Sequence, residues 1–531
     1  MSKVQVTCSC QGIKVQVQGL PSASQRQGRG NWCKETLGQV SAQSVERLQS
    51  NLRGEMSAAQ CRLPFLVLFL EGALLVLIAL FVTYDDHSAA AAQSNGTDHS
   101  RNQLYAIFPV FQDVQVMIFV GFGLLMGFLK KYGYGGIAFN FMIAVFSVQW
   151  AMLVQGWFYH FHHGQIHIGV YNLLTAETVC ATVMISFGAV LGKTSPVQIL
   201  VLALLEVPIF TATEWVITEL LKIKDVGGSI IIHLFACYFG LSVTAVLYRP
   251  GLKGGHKDED ADYNSNKLAM LGTLLLWVFW PSFNSVFAST GDGQHRAVLH
   301  TYIGLTSCTL TTFAISSLLD KRGKINVAHI QNAALAGGVA VGSAADLMVT
   351  PAGAFTLGCI ASVLCTLGFK YLTPFLATTL KIQDVCGIHN LHGIPGWIGA
   401  IAGIATILLT DDERYGHGLY DTFPERVPQE GDESLAEVVR VFPHLKAGGG
   451  RTAWDQAKYQ AAAVGVCLGT AVLGGTVTGF TLKLPCLSPP QDEDCFNDDP
   501  YFQVPEVEEK EEFELTNKKI ANDNERLKLP V

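Results

Sequence analysis

Long apolar runs constrain this chain more than any other feature. Stretches able to cross a bilayer lie at roughly 63–84, 106–129, 136–158, 168–192, 196–221, 227–248, 267–289, 297–319, 326–347, 351–372, 385–410 and 458–482. In lipid a backbone must satisfy its own polar groups, so runs of this length fold as helices. The sequence therefore predicts an all-α polytopic membrane protein of about twelve transmembrane helices. Composition agrees: 49% of the 531 residues are hydrophobic and only 15% are charged, against about 25% charged in soluble domains. The thirteen cysteines are scattered, mostly within apolar runs, and read as small buried hydrophobes rather than as a zinc ladder. The first run begins near Leu63 and is too long for a cleavable signal, so it reads as an anchor.

Residues 1–62 are polar, rich in Gln, Ser and Gly, and read as a disordered cytoplasmic segment, with Met56 as an alternative start to Met1. A transmembrane domain over 63–483 and an acidic cytoplasmic tail over 484–531 follow. Lys130, Lys131, Lys193, Arg249, Lys253, Lys257, Lys321, Arg322, Lys324, Lys370 and Lys381 gather on one face of the expected topology, which makes that face cytoplasmic. Lys222 and Lys224 run against this trend, as do several basic residues of the long 411–454 loop. The opposite face carries the sequon Asn95-Gly96-Thr97, which makes Asn95 a glycosylation candidate. The tail holds a charge run, Val507 to Glu512, and ends in Leu529-Pro530-Val531, which could enter a carboxylate-binding groove of a cytoplasmic partner. No nucleic-acid partner is expected.

One spacing recurs. Asp225 and His233 are eight positions apart, as are Asp384 and His392, and each pair opens an apolar run. Five spans separate the two copies, so they point in opposite directions, the arrangement of an inverted five-helix repeat with its site near the midplane. Ionisable groups at that depth are functional candidates. Two neighbouring neutral imidazoles can share one N–H···N bond; a metal would need further ligands, and none is evident. Asp225 and Asp384 precede helices and read as N-caps, Asp225 also as a site of cation recruitment at the outer mouth. Phe283, in Trp280-Pro281-Ser282-Phe283, is placed at about the depth of Asp225, where its ring could roof a lumen. The small residues Ala333–Ala345 suit close helix packing. His160, His162, His163 and His167 crowd an outer loop, solvated or metal-binding.

At these residues the chain resembles the Rh glycoprotein branch of the ammonium transporter family. The matching strings include Phe187-Gly188-Ala189-Val190-Leu191-Gly192-Lys193, Trp280-Pro281-Ser282-Phe283-Asn284-Ser285 and Asn390-Leu391-His392-Gly393-Ile394-Pro395-Gly396. The resemblance runs from about residue 60 to about residue 506. It implies a homotrimer in the plasma membrane, with cytoplasmic termini and one pore per subunit. It implies ammonium recruited outside and ammonia conducted past the paired histidines His233 and His392. Asp225 and Asp384 match the family's symmetric aspartates, and Phe283 matches one of its two gating phenylalanines. The other gate position reads Thr178, in Thr175-Ala176-Glu177-Thr178, a departure that bears on the outer constriction.

A bare ammonium ion in a narrow apolar lumen carries a large desolvation penalty that neutral ammonia avoids. The expected function is thus electroneutral ammonia conduction, with no cofactor and no resident metal. An ion-coupled secondary transporter and a non-conducting membrane scaffold are the rival readings. An enzyme is not expected, because the spans offer no nucleophile–base pair or metal triad.

Overall fold

A computed structural model describes residues 4–9, 12–17, 58–89, 104–288, 291–416 and 418–503. The chain divides into Met1–Cys61 and Arg62–Val531. In the first unit, strand β1 (Val4–Ser9) pairs antiparallel with β2 (Gly12–Val17).

The second unit is helical. Eleven helices among the described residues are long and apolar enough to cross a membrane. They are α1 (Arg62–Phe81), α2 (Leu104–Met126), α3 (Gly135–Tyr159), α4 (Val170–Val190), α5 (Pro196–Leu220), α6 (Ser229–Val246), α7 (Tyr263–Ser285) and α8 (Asp292–Leu318), followed, beyond two short helices, by α11 (Pro351–Leu380), α12 (His389–Leu408) and α13 (Ala453–Leu482). The run expected at 326–347 is not one helix. It breaks into α9 (Val327–Ala333) and α10 (Ala336–Gly342), each of 7 residues. The break falls at Ala334-Leu335, where Cys308 Sγ donates to the Ala333 carbonyl at 2.9 Å and accepts the Gly337 N–H at 3.1 Å.

Bonds to this stretch fix the centre of the unit. Ser229 donates its hydroxyl to the Val339 carbonyl at 2.7 Å and accepts the Ser343 N–H at 2.7 Å. Gly227 N–H reaches the Gly342 carbonyl at 3.0 Å. Asn284 donates to the Gly338 carbonyl and to Thr301, both at 2.9 Å. A Cβ on Gly338 would meet the Trp280 indole at 2.6 Å, so only glycine seats that ring.

On the face reached by the ends of α1, α3 and α5, strand β3 (Val82–Tyr84) runs parallel to β5 (Gln165–Ile168), which pairs with β4 (Phe161–His162). The two-residue turn between β4 and β5 is His163-Gly164, both with positive φ (52° and 84°), the mirror-type hairpin turn. On the opposite face the described part of the C-terminal segment, to Gln503, folds back over three loops. Phe496 is fully buried and its N–H bonds the Gly192 carbonyl at 2.7 Å. Asp492 pairs with Arg249 at 2.8 Å, and Asp498 accepts the Gly135 N–H at 2.7 Å. Two of the basic residues that run against the charge trend are neutralised: Lys224 meets the buried Asp346 at 2.9 Å and Lys222 meets Glu219 at 2.7 Å. Asn95, the charge run of the tail and its last three residues lie outside the described residues.

Candidate functional site

The two Asp…His copies build matching turns. In the first, Asp225 Oδ2 accepts the N–H groups of Ile230 at 2.9 Å and Ile231 at 2.8 Å. In the second, Asp384 accepts from Ile388 and His389, both at 2.9 Å. Three residues after each aspartate stands a glycine with positive φ, Gly228 at 68° and Gly387 at 71°. Side chains disfavour that conformation, and here a Cβ would also meet Ile232 at 2.5 Å or a Phe369 ring atom at 2.3 Å. Each helix then opens with a wide π turn, Ser229–Leu234 and His389–Gly393, and each histidine lies in it. The His233 N–H bonds the Gly228 carbonyl five residues back, at 2.9 Å. Such turns cluster at functional sites because they rotate a side chain out of the regular helical register.

The copies rest on opposite ends of the fold. The Asp225 turn sits on the end of α10 through Gly227 and Gly342. The Asp384 turn sits on the end of α4, where Cys386 N–H reaches the Gly188 carbonyl at 3.2 Å. Beside it Lys193 is buried and donates to the Gln383 carbonyl and to Thr244, the latter at 2.8 Å. Burial lowers the Lys193 ammonium to about 8, with Glu259 and Asp384 opposing that shift. Burial likewise raises Asp225 to about 6 and raises Asp384, and the capping N–H bonds offset part of each change.

The turns bring His233 and His392 together. Their Nδ1 atoms are 3.1 Å apart and their rings lie within 15° of parallel. At 2% and 4% exposure both are buried. One hydrogen fits between two Nδ1 atoms, so a neutral pair has one Nδ1–H and one Nε2–H tautomer, and the outer Nε2 atoms are one acceptor and one donor. His233 Nε2 is buried without a protein partner. Trp280 lies nearly parallel to the His233 ring at 6.0 Å, and Phe283 sits at 6.4 Å.

A cavity lies against each of the two turns. The first, about 380 Å³, is lined among others by Tyr159, Tyr171, Thr178, Glu214, Asp225 and Phe287. The second, about 210 Å³, is lined by His392, Ile388, Cys386, Phe369 and others. Thr178 is buried, with its hydroxyl turned back to the Thr175 carbonyl at 2.7 Å. Phe283 packs on His233 and Trp280, and the ring that reaches the outer cavity is Phe287. His160 lines the same cavity, while His162 and His163 are exposed. Among the described residues no three His, Cys, Asp or Glu could hold a metal.

Sequence reasoning passed over Glu214, Tyr171 and Phe287. Glu214 left a signal, being one of three carboxylates, with Glu206 and Glu219, in the apolar run 196–221; the two rings left none, since aromatic residues at a membrane boundary are commonplace.

With this geometry in place, comparison with known proteins is direct. A sequence model of the Ammonium Transporter Family matches residues 73–498. Ammonium transporter Rh type B of Danio rerio is 47% identical over 476 residues, covering 89% of this chain and 99% of the relative. Ammonium transporter Rh type C of Canis lupus familiaris is 48% identical over 451 residues, 84% of this chain and 94% of the relative. Among solved structures, Nitrosomonas europaea Rh50 aligns with a TM-score of 0.62 at 28% identity, over 80% of this chain and 99% of that one. Saccharomyces cerevisiae Mep2 shares the fold, with a TM-score of 0.57 at 17% identity over 76% of this chain and 93% of its own. The chain belongs to the ammonium transporter family, in its Rh branch.

Proposed function

We propose that this protein conducts neutral ammonia across the plasma membrane, taking ammonium from the outer cavity and releasing it on the far side with no net charge moved. The observation that carries this reading is the buried His233–His392 pair, with a cavity against the turn that carries each histidine and the His233 Nε2 unpartnered. Ammonia both donates and accepts hydrogen bonds, so it can satisfy either tautomer of the pair as it passes. Ammonium only donates, and its charge would face a site sealed by Trp280, Phe283 and apolar helices. Its proton is therefore left behind at the mouth, near Asp225, and a proton is regained beyond His392. Asp384 serves mainly as the scaffold of the second turn, and Thr178 and Phe283 bound the route on the outer side.

The names of the Rh relatives support the substrate, and the inverted placement of the two turns supports passage through the subunit. In this reading the chain assembles as a homotrimer with cytoplasmic termini, carries glycan on Asn95, and presents residues 504–531 to a cytoplasmic partner. Ammonia uptake into proteoliposomes tests electroneutrality. Uptake should follow the ammonia gradient and ignore an imposed potassium diffusion potential. A steady current that scales with voltage would overturn the mechanism.

A further inference from the structure

A recess of about 420 Å³ lies apart from the histidine pair, where α8 ends, α9 begins and α11 passes. Its lining includes Ser316, Asp320, Lys324, His329, Phe369 and Lys370, and neither histidine of the pair nor either capping aspartate. The Phe369 ring also lines the cavity beside His392 and packs on Gly387, which places the recess on the face of the Asp384 turn. Its walls are tied together. Gly323, at φ 70°, turns the chain back after α8, and its carbonyl accepts the Ser317 hydroxyl at 2.9 Å. Ser316 Oγ accepts the Asn326 N–H at 3.0 Å and meets His329 Nδ1 at 3.0 Å. Lys370 donates to the Leu319 carbonyl just past the end of α8.

The charge around the recess is one-sided. Lys321, Arg322, Lys324 and Lys370 are all exposed. Among the described residues none of the four is ion-paired with a carboxylate, whereas Lys224, Arg249 and Arg296 are. Asp320, the one carboxylate of the lining, turns Oδ1 to the N–H groups of Arg322 at 2.7 Å and Lys324 at 3.1 Å. Topology alone accounts for basic residues in the loop. It does not account for Lys370, which stands inside α11 and faces the recess. At about 1.5 Å per residue, Lys370 lies roughly 30 Å along α11 from Pro351, near the thickness of a bilayer's apolar core. Leu318, Ile325 and Tyr371 are exposed beside it. Cations and apolar surface therefore meet at one membrane boundary. A soluble anion would engage only the cations; a phospholipid engages both.

We propose that this recess binds the phosphate headgroup of an anionic phospholipid, with Lys324 and Lys370 on the phosphate and the acyl chains along Leu318, Ile325 and Tyr371. The proposal rests on the reading of this face as cytoplasmic, since anionic lipids concentrate in that leaflet, and is independent of what the pore conducts.

The test titrates the purified full-length protein in detergent with short-chain phosphatidic acid, followed by calorimetry. Saturable binding is expected. Lys324→Gln and Lys370→Gln should each weaken it roughly fivefold. Lys324 sits on an exposed loop, so its replacement leaves the fold intact. Lys257→Gln, exposed but outside the recess, should bind as the wild type does. Diacylglycerol with the same chains and glycerol phosphate without them should both bind more weakly than the intact lipid. No saturable binding, or unchanged binding in both recess variants, overturns the site. Equal weakening by Lys257→Gln would show diffuse charge only, and glycerol phosphate binding as tightly as the lipid would show a soluble-phosphate site. Each of these failures leaves the histidine dependence of ammonia permeability untouched, so the lipid site and the pore are tested separately.

Discussion

Asp225 shows how one side chain carries both structure and recruitment. It accepts two N–H groups that open α6, and it also lines the outer cavity. Asp225→Ala strips both donors of their acceptor, and an unsatisfied buried group costs about 1–3 kcal/mol. A lower unfolding temperature in detergent is expected, with Asp225→Asn losing less; an unchanged Asp225→Ala protein would contradict the cap. Burial raises this carboxyl to about 6. Its charge is therefore present above that pH and lost below it, so ammonium recruitment at this cavity, which Glu214 also lines, should weaken as the pH on that side drops through about 6. Of the other groups facing the cavity, His160 is held below the usual histidine range by burial and by His162. Its protonation at lower pH adds repulsion of the same sign. For stability the sign reverses, because the folded state holds the Asp225 proton more tightly than the unfolded chain does. This group's contribution therefore falls as pH rises from the ordinary 3.8 to about 6. The half-saturating external ammonium concentration for proteoliposome uptake, read between about pH 5 and 8, checks this. The aspartates and histidines were legible in the sequence because ionisable residues are rare in apolar runs. The burial of Phe283 beside His233 was not, since a ring one turn from the mouth can face either way.

At the scale of elements, the two turns form one device used twice: an aspartate cap, a left-handed glycine three residues on, and a π turn carrying the histidine. Replacing Gly387 with Ala puts a side chain at φ 71°, with its Cβ 2.3 Å from Phe369. The backbone term alone costs about 1–2 kcal/mol. The clash should also move His392, so ammonia permeability should drop more than stability does; unaltered permeability would count against the turn's role. The spacing revealed both turns, but not their π geometry, because five-residue bonds leave no composition signal. The break between α9 and α10 was hidden for a related reason. Ala and Gly run on from Ala333 without a proline to mark a boundary, and the contacts of Cys308 Sγ with Ala333 and Gly337 are what define it. The C-terminal strap was equally obscure, resting as it does on one ring. Phe496→Ala should cost about 3–5 kcal/mol, as for other large buried aromatics, and would show as a lowered thermal transition of the purified protein.

For the whole molecule, charge placement and helix direction agree. Two exceptions to the basic-face trend, Lys224 and Lys222, are used up in pairs with Asp346 and Glu219. Among the described residues the charged side chains that line the outer cavity are then Asp225 and Glu214, which set its sign. The long apolar runs and the opposed Asp…His copies sufficed to predict a helical membrane protein with an inverted repeat. The lining of the outer cavity was not foreseeable, because Tyr159, Tyr171, Glu214, Asp225 and Phe287 come from α3, α4, α5, the turn before α6 and the loop after α7, and only packing brings them together. Everything then meets at the histidine pair, whose shared hydrogen and unpartnered Nε2 are the basis for passing a neutral molecule through a closed apolar core. Stopped-flow ammonia permeability of proteoliposomes holding His233→Ala or His392→Ala tests this most directly. Either substitution is predicted to reduce permeability to near that of protein-free vesicles, while the protein stays folded; wild-type permeability in both would contradict the account.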